Sequence, residues 1–596
     1  MNLLEKLQRT LADALAGLVE DPSPYAVMVK PTQDARHGDY QANCAMALAK
    51  ALGKSPRDTA QLIVGRLNLG DWLRPPDIAG PGFINVRLRD DWMAAQLRAM
   101  TLSPTLGVEA PEKARTFVID YGGPNVAKPM HVGHLRSTII GDALARLLRF
   151  LGHKVIGDNH IGDWGNQFGM LLYGYKHFLD ESAFRSDPVR ELARLYKHVR
   201  SLIRKVKNKK GEEEEDPNDP VMVACREETA KLHAGDEENN RLWKQFMPAC
   251  LAELDHMYCR LDVRFDHSLG ESFYHPMLPG VVADLEARGI AEPSEGAVVV
   301  FLGDPEKVPP ALIRYRHGAF GYMTTDLATV KYRVEQWHPD AVLYVVDARQ
   351  ADHFKNLFTV ARRWGYDQVE LEHVSFGSVL GEDRKPFKTR EGKSLALEDL
   401  LDEGVAAADR AYRTLRQEAL ERGEEVPDLT DAEVRHIAEV VGTGAIKYAD
   451  LSQNRTSDYV FAWDKMLAMN GNTGTYMQYA YARNRSIFRK GEEDPKALRR
   501  DPPTPALAAP EERALALQLL RFHDALTAAA ADYRPSQITG YLWDLAKTYS
   551  GFFNNCPVLK AETPALRRSR LLLCDLTARV LQRGLDLLGI RTVERM

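Results

Sequence analysis

The sequence predicts an α/β protein: a Rossmann-like, doubly wound parallel sheet in the middle, a small α/β unit before it and an all-helical domain after it. Three observations carry this. The run "TFVID" (Thr116 to Asp120) and the near-continuous apolar run "AVLYVVDA" (Ala341 to Ala348) read as parallel strands covered on both faces. The first leads through a glycine-containing turn into a long helical pattern, the strand–turn–helix rhythm of a doubly wound sheet. From about residue 396 the chain becomes almost wholly helical.

At 596 residues the chain exceeds what one core can fill, so two to four domains are expected. The formal net charge of −5 excludes a protein that binds nucleic acid through bulk basic charge; any such footprint must be local. No apolar run approaches the ~20 residues of a membrane span, so no membrane partner is expected. The start, "MNLLEKLQRTLADAL", mixes charges among leucines at helical spacing (Leu4, Leu7, Leu11, Leu15) and reads as an amphipathic helix, not a signal peptide. Six scattered cysteines, with no C-x-x-C pair, argue against a zinc knuckle and fit a reducing cytoplasm.

In chain order, residues 1–108 form the small unit: helical patterns to about Leu67, then a turn and strand at "GPGFINVRL" (Gly80 to Leu88). The polar, Pro-containing stretch from Thr101 is a linker. Residues 109–395 are the sheet domain. Its first helix places Ile140, Leu144, Leu147 and Leu151 on one face, with Gly152 where the helix should stop. An insertion at roughly 165–300 interrupts the pattern. Within it "KVKNKKGEEEEDPNDP" (Lys205 to Pro220) sets a basic block before an acidic one and reads as a solvated loop. Residues 396–465 are a helical linking region, and 466–596 a helical bundle with Leu515, Leu519, Phe522 and Leu526 on one face.

Chemistry concentrates at "YGGPNVAKPMHVGHLRST" (Tyr121 to Thr138). A helix N-terminus offers free N–H groups and partial positive charge, which suit phosphate. Gly133 admits a ligand close to the backbone. His131 and His134 can both point out of the carboxyl edge of the sheet. Neutral imidazole N–H groups there can bond a phosphorus centre as its negative charge grows. His-x-x-His alone also fits a capped helix start or half a metal site; the strand–turn–helix setting favours a nucleotide.

The "HVGH" at this junction resembles the signature of the class I aminoacyl-tRNA synthetases. The wider string "GGPNVAKPMHVGHLRSTIIGDALAR" resembles the arginyl-tRNA synthetase family in particular. Agreement continues along the chain in "DNHIGDWGNQFG", "GESFY", "YMTTDLA", "LYVVDARQADHF", "FGSVLGEDRKPFKTREGKS" and "MQYAYARNRSI". The resemblance covers nearly the whole chain. It implies an arginine–tRNA ligase that activates L-arginine with ATP to arginyl-adenylate. The arginyl group then passes to the 2′-hydroxyl of the terminal adenosine of the arginine-accepting tRNA. It also implies magnesium on ATP as the cofactor, no metal held by the protein's own residues, and a monomer. The small N-terminal unit would contact the tRNA elbow, the 396–465 region the stem, and the C-terminal bundle the anticodon.

A guanidinium is a planar fork that pairs best with carboxylates. Glu271 and Asp326 are the candidates; Tyr322, four residues before Asp326, shares its helix face. Gln350 is expected at the end of the 341–349 strand. The family implies amino-acid contacts from Asn125, His134, Tyr322, Asp326 and Gln350. ATP would meet His131, Gly133, His134 and the loop lysines Lys385, Lys388 and Lys393. That loop, "RKPFKTREGKS", departs from the usual Lys-Met-Ser-Lys-Ser string, so Lys128 is expected to supply charge beside Lys388. The competing readings are a nucleotidylyltransferase, another class I synthetase and a catalytically inactive tRNA-binding paralogue.

Overall fold

The computed structural model describes residues 2–596 apart from 33, 127, 129, 208–212, 305–307, 317, 382–383, 385–395, 424–425 and 427. Its centre is a four-stranded parallel sheet of β1 (Thr116–Asp120), β2 (Lys154–Asp158), β3 (Ala341–Tyr344) and β4 (Glu370–His373), ordered β4-β3-β1-β2. Val118, Ile119, Ala341, Val342 and Leu343 are wholly buried. Cover on both faces is why these strands read as unbroken apolar runs.

From β1 the chain moves to β2 on one side and returns later to β3 on the other. The strand order therefore reverses between β1 and β3, and doubly wound sheets bind ligands at such a crevice, beyond the carboxyl ends of the strands. Three helices frame it: α1 (Val132–Phe150), α2 (Tyr322–Trp337) and α3 (Ala351–Trp364). α1 buries Ile140, Leu144 and Leu147, its C-cap Leu151 is buried as well, and Gly152 follows at φ +97°, a left-handed stop that favours glycine. Ser137 of α1 ties the crevice together: its hydroxyl donates to the Val345 carbonyl (2.6 Å) and accepts from the Gly122 N–H (3.0 Å). Arg333 of α2 is wholly buried and reaches Asp120 and Asp158, the last residues of β1 and β2, at 2.8 Å each. This strut fixes α2 across the carboxyl edge.

Four expectations are corrected. The run from Ala341 is strand only to Tyr344, and Ala348–Gln350 is a 3₁₀ turn. There the Ala348 N–H bonds the Phe376 carbonyl and Asp347 accepts from the Arg349 N–H (2.8 Å). Gln350 thus ends a turn, not a strand. The N-terminal unit, expected helical to Leu67, contains an antiparallel sheet that includes Val29–Pro31 and Tyr40–Ala42. Three-residue strands are too short to show alternation. The charged stretch from Lys205 is not simply a loop: Lys205–Lys207 pairs antiparallel with Glu213–Glu215, in the register Lys205↔Glu215. Opposite charges facing across a ladder favour that pairing. Finally, Leu515 and Leu519 lie on one helix (Pro510–Leu520) and Phe522 and Leu526 on the next (Phe522–Ala531); all four are buried.

The N-terminal unit packs on the C-terminal bundle. Arg513 donates to both oxygens of Asp39 and to Asp90, each at 2.8 Å. Among the described residues, no helix is long and apolar enough to cross a membrane.

Candidate active site

The start of α1 is built by its two histidines. His131 is the N-cap, and its Nδ1 accepts from the Gly133 N–H (3.0 Å). The Nδ1 of His134 accepts from the His131 N–H (3.2 Å), closing a reciprocal cap. The rings stack with centroids 3.9 Å apart. A Cβ at Gly133 would lie 2.7 Å from the His131 ring, so only glycine allows this fold-back.

Because both Nδ1 atoms accept backbone hydrogens, the neutral rings carry their protons on Nε2. Burial, His131 and Lys128 depress the His134 pKa to about 3. Burial, Lys128 and Arg349 lower that of His131. The helix end therefore presents two neutral N–H donors in the positive field of Lys128 and Arg349, a setting for a polyanion. Arg349, held by Asp347 at 2.8 Å, was not singled out from the sequence. Lys128 lies with Nζ 5.6 Å from the Tyr196 ring centroid.

A second cluster forms where α2 meets the insertion. Tyr322 starts α2 and is 78% exposed. Glu271 opens the short helix Glu271–Tyr274, and Asp163 pins that helix by accepting from the Ser272 N–H (2.9 Å) and hydroxyl (2.5 Å). Burial raises the Glu271 pKa; His160 opposes the shift, and Asp163 and Asp326 add to it. Burial, Glu271, Tyr315 and Asp326 raise that of Tyr322. Glu271, Tyr322 and Asp326 are thus mutual neighbours. Among the described residues, neither carboxyl has a Lys or Arg ion-pair partner. The contact of Asp326 is His353 of α3, at 2.6 Å, which sequence reasoning missed although it stands in the quoted "DARQADHF".

Asn125 bridges Gly162 and accepts from Gln167 (3.2 Å) at the crevice floor. Gln350 is exposed at the start of α3. Lys385, Lys388 and Lys393 lie outside the described residues. The flank that follows them returns to the site: Ala396 bridges His131, and the Leu397 N–H bonds the Met130 carbonyl.

Fold and site together define a class I tRNA synthetase catalytic domain. A family model for "tRNA synthetases class I (R), catalytic domain" matches residues 96–463. "Arginyl tRNA synthetase N terminal domain" matches 5–88, and "DALR anticodon binding domain" 477–596. The arginine–tRNA ligase of Rhodopirellula baltica is 42% identical, and that of Escherichia coli O157:H7 45% identical, each alignment covering all of both chains. The crystal structure of arginyl-tRNA synthetase from Plasmodium falciparum matches at TM-score 0.80 and 28% identity, over all of this chain and 98% of that one. The Thermus thermophilus arginyl-tRNA synthetase matches at TM-score 0.80 and 25% identity, over all of both. The chain belongs to the arginine–tRNA ligase family, and its reaction is the ligation of arginine to tRNA using ATP.

Proposed function

We propose that Glu271 and Asp326 receive the substrate guanidinium with Tyr322 beside it, while Asn125, His134 and Gln350 hold the backbone end of the amino acid. His131, Gly133, His134 and Lys128, with Lys385, Lys388 and Lys393, hold ATP. One observation carries this reading: Glu271 and Asp326, which among the described residues have no Lys or Arg ion-pair partner, and a helix end armed with neutral donors both belong to the carboxyl side of the sheet. The first wants a guanidinium; the second wants phosphate.

In activation, the arginine carboxylate attacks the α-phosphorus in line, and the bond to pyrophosphate breaks. The Nε2–H groups of His131 and His134 meet charge that grows on the phosphoryl oxygens. In transfer, the terminal ribose 2′-hydroxyl of tRNA attacks the arginyl carbonyl and AMP leaves. No covalent enzyme intermediate is needed. Lysine and citrulline fail to match the carboxylate pair, so no second editing site is required. Magnesium carried in on ATP would supply charge neutralisation at the phosphates. The donors around His131 are imidazole, lysine and arginine, which suit the nucleotide rather than a resident ion.

Asp326→Asn keeps shape and removes charge. The expected loss is about 1.5–3 kcal/mol of arginine binding, read as a tenfold or greater rise in arginine KM with ATP KM nearly unchanged. Equal shifts in both constants would contradict the assignment. Lys128→Met is expected to impair ATP–pyrophosphate exchange more than Lys388→Met, because Lys128 stands at the helix entrance where phosphates arrive. Normal exchange by Lys128→Met beside a dead Lys388→Met would return the role to the loop.

For tRNA, residues 1–108 would contact the elbow, 396–465 the stem, and 466–596 the anticodon. A cavity of about 1050 Å³ lined by Tyr479, Arg483, Lys490, Phe553 and Arg595 supports the last. There Arg483 lies 4.4 Å over the Phe553 ring, a platform for splayed bases. We further infer a cytoplasmic monomer; light scattering of the purified chain tests the monomer.

A further inference from the structure

His353 of α3 and Asp326 of α2 come from different helices, yet Nε2 lies 2.6 Å from Oδ2. A carboxylate oxygen only accepts, so Nε2 carries the hydrogen. Both side chains are about a quarter exposed (27% and 24%), so the pair sits at the wall of the crevice rather than in the core. The His353 and Phe354 ring centroids lie 5.4 Å apart, and Phe354 stacks on His373 of β4 (4.6 Å). Beyond Asp326, the titratable groups facing this pair among the described residues are Glu271, Tyr322 and Tyr344 toward Asp326 and His373 toward His353.

We propose that His353 is a positioning residue for arginine recognition, whose proton competes with the substrate guanidinium for Asp326. This rests on the reading of Asp326 as a guanidinium partner. As neutral imidazole, His353 donates one hydrogen bond, orients the carboxylate and leaves its charge whole. As imidazolium, it neutralises that charge before arginine arrives. Two cations cannot share one carboxylate without loss, so by linkage arginine binding expels the His353 proton. Its hydrogen bond to Asp326 raises the His353 pKa, which brings the competition toward neutrality. The sign follows: the proton occupies free enzyme below that raised value, so arginine affinity rises with pH through it and then levels off.

The test is calorimetric titration of the full-length enzyme with arginine, from about pH 6 to 8, in buffers of different ionisation enthalpy. Wild type is expected to release a substantial fraction of one proton, and its arginine Kd to fall by up to about tenfold per pH unit at the acid end. His353→Gln keeps an N–H donor but does not titrate. It should lose most of that release and show a nearly flat Kd. Wild-type release and slope retained by His353→Gln would overturn the proposal. Should His353→Gln misfold, seen as lost ATP binding, absence of proton release by the wild type would overturn it instead. An arginine Kd unchanged by Asp326→Asn would defeat the underlying reading of Asp326, which the same titrations detect separately.

Discussion

His134→Ala is expected to lower the rate of arginyl-adenylate formation by about 10²–10³-fold, the scale for removing one preorganised donor from a transition state. Two contributions meet in this side chain. Its Nε2–H is the proposed donor to the phosphoryl oxygens, and its Nδ1 holds the His131 N–H at 3.2 Å. Alanine deletes the donor and frees the cap on which the stacked His131 ring rests. Because the His134 pKa lies at about 3, the imidazole stays neutral across the working range. The wild-type rate from about pH 6 to 9 should therefore show no inflection owed to His134. Arginine affinity should change less than the rate, with a partial effect because His134 is also proposed to contact the amino acid. Single-turnover ATP–pyrophosphate kinetics separates the two; near-normal turnover would end the assignment.

Arg333→Met should destabilise the sheet domain by about 3–5 kcal/mol, since it leaves two buried carboxylates without their cation. Asp158 is fully buried and Asp120 partly so, each 2.8 Å from the guanidinium. Methionine matches much of the volume but returns no hydrogen bond. The measurement is the urea midpoint followed by tryptophan fluorescence. The double variant Arg333→Met with Asp158→Asn should recover part of the loss, because it also removes an unpaired charge. Since α2 carries Tyr322 and Asp326, the single variant should raise arginine KM as well. A midpoint equal to wild type would show that the strut carries no stability.

What could be read in the sequence was whatever a few neighbouring residues decide. His131, Gly133 and His134 form one cap, so their spacing alone placed them at a helix start. Tyr322 and Asp326 lie one helical turn apart, so their shared face followed from periodicity. What escaped depends on distant partners. His353 meets Asp326 across 27 positions, and Arg333 meets Asp158 and Asp120 across 175 and 213. No local pattern marks such pairs. The end of β3 escaped because Val345 and its neighbours are as apolar as a strand; it is the demand of Phe376 for the Ala348 N–H that turns the backbone away. Arg349 was hidden by its ordinary ion pair with Asp347, which says nothing of the field it exerts on His131.

The most direct test of the account is to charge total tRNA with each of the twenty labelled amino acids, using the purified enzyme and its Asp326→Asn variant. The wild type is expected to charge arginine alone, and the variant to charge arginine only at tenfold or higher arginine concentration with its ATP requirement unchanged. Charging of any other amino acid by the wild type, or wild-type arginine dependence in the variant, would contradict it.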